Sequence, residues 1–449
     1  MRFLSLKCVH PHSSSPHASF GPSSSPLLAM QYLQFLTAVL ALAPGILASP
    51  KPPAPAKDAN PYVGVEPYAN KGYAKKLEET IKYFNKEKDY VNAGRTRTVQ
   101  KVPTFAWVSD TAGIASIKPL IKEALDAQKR TGKKQLLQIV VYNLPERDCS
   151  AKASDGEFHL ADDGLNKYKK YIDGKASILD EHVNKLTEVP SLAVAAELST
   201  VDAMKLQFTI LLEPDSLGNL VTNLGVEKCA KAADAYKEGT SYAIAKLQRN
   251  NIALYLDAAH GGWLGWNDNL APAAKVFAEV LEGAKVVNPT AKVRGLAINV
   301  SNYNQYVSAV RENYTEWNNS WDEYHYVESL TPHLMEAGYP AHFIVDQGRS
   351  GKGGIRTSWG QWCNIRNAGF GTRPTADQKV LNNTNVDAIV WVKPGGESDG
   401  TSDETAVRFD ENCRSEVAHV PAPEAGQWFN DFVVNLVKNA DPPLKVSLF

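Results

Sequence analysis

FTILLEPDSLGNL, residues 208–220, sets how the rest of the chain reads. Phe208 to Leu212 is a continuous apolar run of the kind a strand buried on both faces requires. It stops at Glu213-Pro214-Asp215-Ser216. A proline breaks a sheet ladder and is rejected by a helix interior, so Asp215 stands at the mouth of the strand. A carboxylate delivered to the end of a buried strand is where an α/β enzyme places its chemistry. The simpler alternative is that Asp215 caps a helix starting near Leu217.

Working outward from Lys101, apolar runs alternate with segments of helical period. The strand candidates are 102–108, 136–142, 208–212, 252–256, 294–298, 342–345 and 388–392. Between them, Ile114, Ile117, Leu120, Ile121 and Leu125 keep helical spacing, as do Val276, Phe277, Val280 and Leu281; a last helix falls around 428–437. Alternation of this kind implies parallel strands with helices outside. Seven strands without a GxGxxG after the first favour a closed or nearly closed β/α barrel. Each strand runs into polar residues: Ser109 and Asp110, Asn143 to Asp148, Asp215, Asp257 to Trp263, Asn299 to Tyr303, Asp346 to Arg349, and Lys393 to Asp399. In a parallel barrel these ends share one rim, where an active site belongs. The glycine-rich stretch 348–354 lacks the GK[ST] ending of a phosphate loop and reads as a mobile loop. Asp257 and His260 lack a third ligand at metal-binding spacing.

The 449 residues are 43% hydrophobic and 22% charged with a formal net charge of -1, an ordinary globular composition. No basic stripe points to nucleic acid. Nine Trp and 18 Tyr are many for this length, and in an exported protein such rings often serve as platforms for sugars. Residues 1–29 are expected to be an upstream extension of the gene, with translation starting at Met30. Residues 30–48 read as a signal peptide, too short in its apolar part to span a bilayer. Residues 49–61 form a Pro/Ala-rich tether before a domain running from 62 to 449. Apart from Cys8, the cysteines are Cys149, Cys229, Cys363 and Cys413, an even set that in an exported protein implies two disulfides in one of three pairings. Sequons at Asn299, Asn313, Asn318 and Asn382 permit N-glycans, although Asn299 directly follows a strand and is expected to stay bare.

Five motifs carry a resemblance: YNLPERDC (142–149), EPDSLGNLVTNLG (213–225), YLDAAHGGWLGW (255–266), DQGRSGK (346–352) and WVKPGGESDGTSD (391–403). Together they resemble glycoside hydrolase family 6, most closely its fungal cellobiohydrolase II branch, from about Tyr62 to the C-terminus. The resemblance implies a distorted seven-stranded β/α barrel. It also implies inverting hydrolysis of β-1,4-glucan at the C-terminal strand ends, releasing mainly cellobiose from non-reducing ends, with no cofactor or metal. It implies that Asp215 is the proton donor, Asp148 the carboxyl that raises the donor's pKa, and Asp399 the base, or else that a water held by Ser154 relays the proton. Tyr142 is implied to press on the sugar at the cleavage point. Trp107, Trp263, Trp266 and Trp362 match sugar-stacking rings; His260, Asn302, Lys393 and Glu397 match hydroxyl ligands. Ser109 replaces an acid common in relatives. The pairs Cys149–Cys229 and Cys363–Cys413 are also implied.

The chemistry explains these demands. Inversion needs an acid at the leaving oxygen and room for a water opposite, with carboxyls roughly 6.5–9.5 Å apart. An ordinary Asp titrates near pH 4, so the donor must be raised by burial and a neighbouring charge. Arg147 is placed to pair with a nearby acid, and Lys393 and Arg349 to pair with Asp399. About fifteen extra residues fall between Val183 and Gln207, to be read as a helix extension, a surface insertion or a retained intron. The expected partners are cellulose and cello-oligosaccharides, without a cellulose-binding module, nucleic acid or membrane, for a secreted monomer. Two other readings remain: an endo-acting glucanase with an open cleft, decided by the loops 150–162 and 399–413, and a non-catalytic glucan-binding protein.

Overall fold

Residues along the strands point alternately into two different cores, which is why their sequences show apolar runs instead of polar–apolar alternation. The computed structural model describes residues 59–173 and 193–448. The expected leader and signal segments, most of the tether, and the part of the extra stretch before 193 lie outside the described residues. Eight strands are described: β1 (Glu66–Pro67), β2 (Ala106–Val108), β3 (Gln135–Val141), β4 (Gln207–Leu212), β5 (Ile252–Asp257), β6 (Gly295–Ile298), β7 (Phe343–Asp346) and β8 (Val386–Val390). All pair in parallel, in the order β3-β4-β5-β6-β7-β8, with β1 and β2 both on the free edge of β3. The seven expected strands are therefore present, and β1 is an added two-residue piece that shares an edge with β2.

In β4, Phe208, Ile210 and Leu212 pack outward against helices, whereas Leu211 points inward with Leu136, Val140, Tyr255, Ile344 and Val390. Burying each such side chain contributes about 1.5–3 kcal/mol, so both faces of the strand hold it in place. The outer layer includes the helices Ile117–Thr131, Glu227–Leu247 and Asn267–Val287.

The sheet curls into a barrel whose ladder does not close. Between β8 and the β2 side only isolated bonds cross, including Phe105 N to Trp391 O and Trp107 Nε1 to Val392 O. A third core fills this seam, where the helices Lys71–Lys86 and Asn430–Lys438 meet a stacked Phe370–Trp391 pair with ring centroids 4.9 Å apart. Both disulfides form as implied, Cys149–Cys229 and Cys363–Cys413. The stretch after β7 is held in its first part, where Arg349, Ser350 and Gly351 are buried and Ser350 bridges Gly369, whereas Gly353 and Gly354 are exposed.

Candidate active site

Polar side chains at the strand ends first organise one another. Glu213, after β4, accepts the amides of Asn143 and Leu144 and the Tyr168 hydroxyl, so it fixes the loop that leaves β3. Burial pushes its carboxyl up to about 7 despite these bonds. Asp346, after β7, accepts four backbone amides, from Ser301, Gly348, Val392 and Lys393, and ties three loops together. Buried carboxylates in this role exchange water for fixed amide donors.

A cleft of about 580 Å³ opens above them. Its lining brings together Trp107, Tyr142, Asp148, Ser154, Asp215, His260, Trp263, Trp266, Asn302, Trp362, Lys393 and Asp399. Two expected residues are not in that lining. Ser109 offers its carbonyl to Arg147, and Glu397 is held by Lys76 at 2.8 Å.

Asp215 occupies the N-cap position of the helix Ser216–Thr222, yet its side chain makes no capping bond. Its φ of +64°, unusual outside glycine, turns the residue at the strand mouth. Burial holds its carboxyl well above the usual range, and the charges of Asp257 and then Asp148 push it further up, against the pull of Lys393. Asp257 is thus the stronger neighbour, ahead of the expected Asp148. The pairing of Leu212 with Leu256 sets Asp257 beside Glu213, and its Oδ2 accepts the amides of Asp215 and Ala259 at 2.9 and 3.1 Å. Its Oδ1 is buried without a partner, and its pKa is also raised. Asp148, raised chiefly by burial, accepts Ser154 N at 2.6 Å, which places the Ser154 loop against it.

Arg147 does not pair with an acid as expected. It donates to the carbonyls of Ser154, Ser109 and Tyr142, and its guanidinium lies 4.5 Å from the centre of the Tyr142 ring. Tyr142 meets Trp107 edge to face at 5.7 Å. Asp399 does find the expected cations. Arg349 Nη1 reaches both its oxygens at 2.7 Å, Lys393 Nζ lies 3.8 Å away, and the Tyr303 hydroxyl and Asn364 amide also bind Oδ2.

Two further residues were not foreseen, Trp359 in the cleft lining and Arg356, which bonds the lining residue Asn302. Trp359 lies over Gly262, where any Cβ would come within 1.9 Å of the indole; the glycine pair after His260 is spaced for that ring. Buried Arg356 donates to Asn302 Oδ1, Asn304 Oδ1 and the Gln361 carbonyl. Asn302 Oδ1, which also accepts Tyr303 N, is thereby occupied, which leaves the side-chain N–H group as its donor. His260 Nδ1 accepts the Gly262 amide at 3.2 Å, which puts the ring proton on Nε2, and burial lowers its pKa to about 3, so it stays neutral. A WxxW spacing and an Arg three residues before the first Trp were the only sequence signals for these two, and neither is distinctive.

The pattern of glycosyl hydrolases family 6 matches residues 62–193 and 192–440, two stretches that meet where the extra residues were expected. The chain is 47% identical to 1,4-beta-D-glucan cellobiohydrolase CEL6B of Podospora anserina over 437 residues, 96% of this chain and 95% of that protein. Among solved structures it is similar to CcCel6C of Coprinopsis cinerea, at 63% identity and a TM-score of 0.81, covering 87% of this chain and all of that one. It is also similar to cellobiohydrolase II (Cel6A) of Humicola insolens in complex with glucose and cellotetraose. That match has 42% identity and a TM-score of 0.77, covering 86% of this chain and 100% of that one. With a strand-end cleft of this composition and family matches over most of its length, the chain belongs to glycosyl hydrolases family 6.

Proposed function

We propose that this protein hydrolyses the β-1,4-glucosidic bonds of cellulose and cello-oligosaccharides with inversion, releasing mainly cellobiose from non-reducing ends. The observation that carries the reading is Asp215: a carboxyl lining the cleft, its pKa pushed well up by burial and two acidic neighbours, and free of any capping bond. In this role Asp215 gives its proton to the glycosidic oxygen as the bond to the anomeric carbon breaks. Tyr142, backed by Arg147, presses on the sugar undergoing cleavage. A water attacks from the opposite face and loses its proton to the protein.

Asp399 is the proposed final acceptor of that proton. Its oxygens already receive Arg349, Tyr303 and Asn364 donors, so transfer through a water held near Ser154 suits it better than direct abstraction. Trp107, Trp263, Trp266 and Trp362 are proposed to stack on successive sugars, with His260, Asn302 and Lys393 donating to hydroxyls. Glu397, held by Lys76, and Ser109 are proposed to act from outside the cleft lining.

Exo action is favoured over endo action by the two loops flanking the cleft. A Cβ on Gly400 would lie 2.9 Å from Ala153 Cβ, so the loops 150–162 and 399–413 meet beside the catalytic carboxyls. The second loop is tethered by Cys363–Cys413. Export through residues 30–48 belongs to the same proposal. The test is NMR of fresh products from cellohexaose. α-Anomeric cellobiose is the expected result, whereas β-anomers overturn inversion and an early spread of product lengths overturns exo action.

A further inference from the structure

We propose that Trp317 forms an additional sugar-binding platform outside the cleft, which holds a β-1,4-glucan chain that extends past Trp266. The inference rests on the hydrolase reading for its ligand class, and on separate observations for its place. Trp317 is 82% exposed, the one exposed Trp among the described residues. Its loop is nevertheless firmly held. Arg311 Nη2 donates to the carbonyls of Thr315, Glu316 and Asn318, a clamp around the turn that carries the indole. Asn318 is buried; its Nδ2 donates to the Gly261 carbonyl at 2.8 Å and its Oδ1 accepts Ser320 N at 2.7 Å.

These bonds also set the loop against the cleft wall. Gly261 begins the turn that carries Trp263 and Trp266. Ser320 packs onto the same turn so closely that a Cβ on Gly265 would lie 2.4 Å from its Cβ. Asn319 Nδ2 reaches Asn267 Oδ1, next to Trp266, at 3.4 Å. On the other flank, Tyr314 meets the cleft residue Trp359 edge to face with centroids 5.2 Å apart. The loop is therefore continuous with the aromatic lining, and an exposed indole carried on this clamped backbone suits the apolar face of a glucose ring. Because the backbone that carries the ring is already ordered, binding has only the side chain left to order.

The test compares Trp317→Ala and Trp317→Phe with the unsubstituted full chain. Binding is read by calorimetry in an Asp215→Asn background, so turnover does not enter. Trp317→Ala is expected to weaken binding of long cellodextrins about two- to tenfold, the range of an aromatic contact, and to leave cellotetraose binding unchanged. Trp317→Phe is expected to recover much of the loss. Equal affinity of Trp317→Ala for long cellodextrins overturns the proposal, as does an equal loss with cellotetraose. So does an effect confined to adsorption on microcrystalline cellulose. Absence of turnover by the unsubstituted protein instead overturns the hydrolase reading and leaves the binding result to stand by itself.

Discussion

Burial first, and then the carboxylates of Asp257 and Asp148, push the Asp215 carboxyl above its usual range. Replacing Asp215 with Asn keeps the shape and tolerates the same φ, so cello-oligosaccharide binding should persist while kcat falls by about 10²–10⁴. Asp257→Asn tests the unforeseen neighbour. Removing a negative charge makes the Asp215 carboxylate easier to form, so its pKa falls and the proton donor is lost at lower pH. The alkaline limb of the kcat/KM profile should move toward acid, and an unmoved limb would show that Asp148 and burial suffice. Arg356→Gln should free the Asn302 amide to flip, raising KM for cellotetraose with a smaller change in kcat. Sequence motifs reached the residues proposed to bear chemistry directly, Asp215, Asp148 and Asp399. They reached Asp257 only as a strand-end acid lacking a third metal ligand, and did not reach Arg356; the effects of both depend on which side chains the strand register and loop closure bring into contact.

At the level of elements, strand positions were legible because burial on both faces leaves an unbroken apolar run. Whether the barrel closes fully or only nearly was left open, since nothing local in β2 or β8 marks a missing ladder. The stretch 348–354, expected to be mobile, is packed in its first part. Gly351 permits close packing against Gly369 and Phe370, whereas Gly353 and Gly354 are exposed, and sequence alone does not separate the two uses. The buried acids that tie the loops carry a pH consequence. Glu213, and buried Glu323, whose Oε1 accepts the Gly261 amide and Asn304 Nδ2, have folded pKa values raised to about 7 and 8, so the native state binds protons more tightly than the unfolded chain. Their contribution is fully present below about pH 4.5 and is lost as pH rises through those values. His260, lowered by burial, works in the opposite direction below about pH 6.5 and is neutral in both states above it. Thermal denaturation should therefore show Tm falling between pH 6.5 and 8.5, and Glu323→Gln should flatten that slope.

For the whole molecule, the sequons separate by burial. Asn299 Nδ2 donates to Asn304 O and Asp346 O inside the barrel rim, and Asn318 Nδ2 is committed to Gly261 O. Asn313 and Asn382 are exposed. Peptide mass spectrometry of protein secreted from a glycosylating host should find glycans at Asn313 and Asn382 and none at the other two; a glycan on Asn318 would contradict the buried loop.

The seam between β8 and β2 links the two ends of the described chain. Ser447 N bonds Gly94 O, Thr98 Oγ1 bonds Lys445 O, and the Tyr73 hydroxyl reaches Gly395 O. Residues 73–98 are thus completed by residues 395–447, across separations of more than three hundred positions. A chain cut before Asn430 would leave Leu77, Phe84 and Trp391 without the helix Asn430–Lys438 that covers them. This core therefore closes only once that helix has docked, so a truncation there should cost the seam its fold however intact the strands before it are.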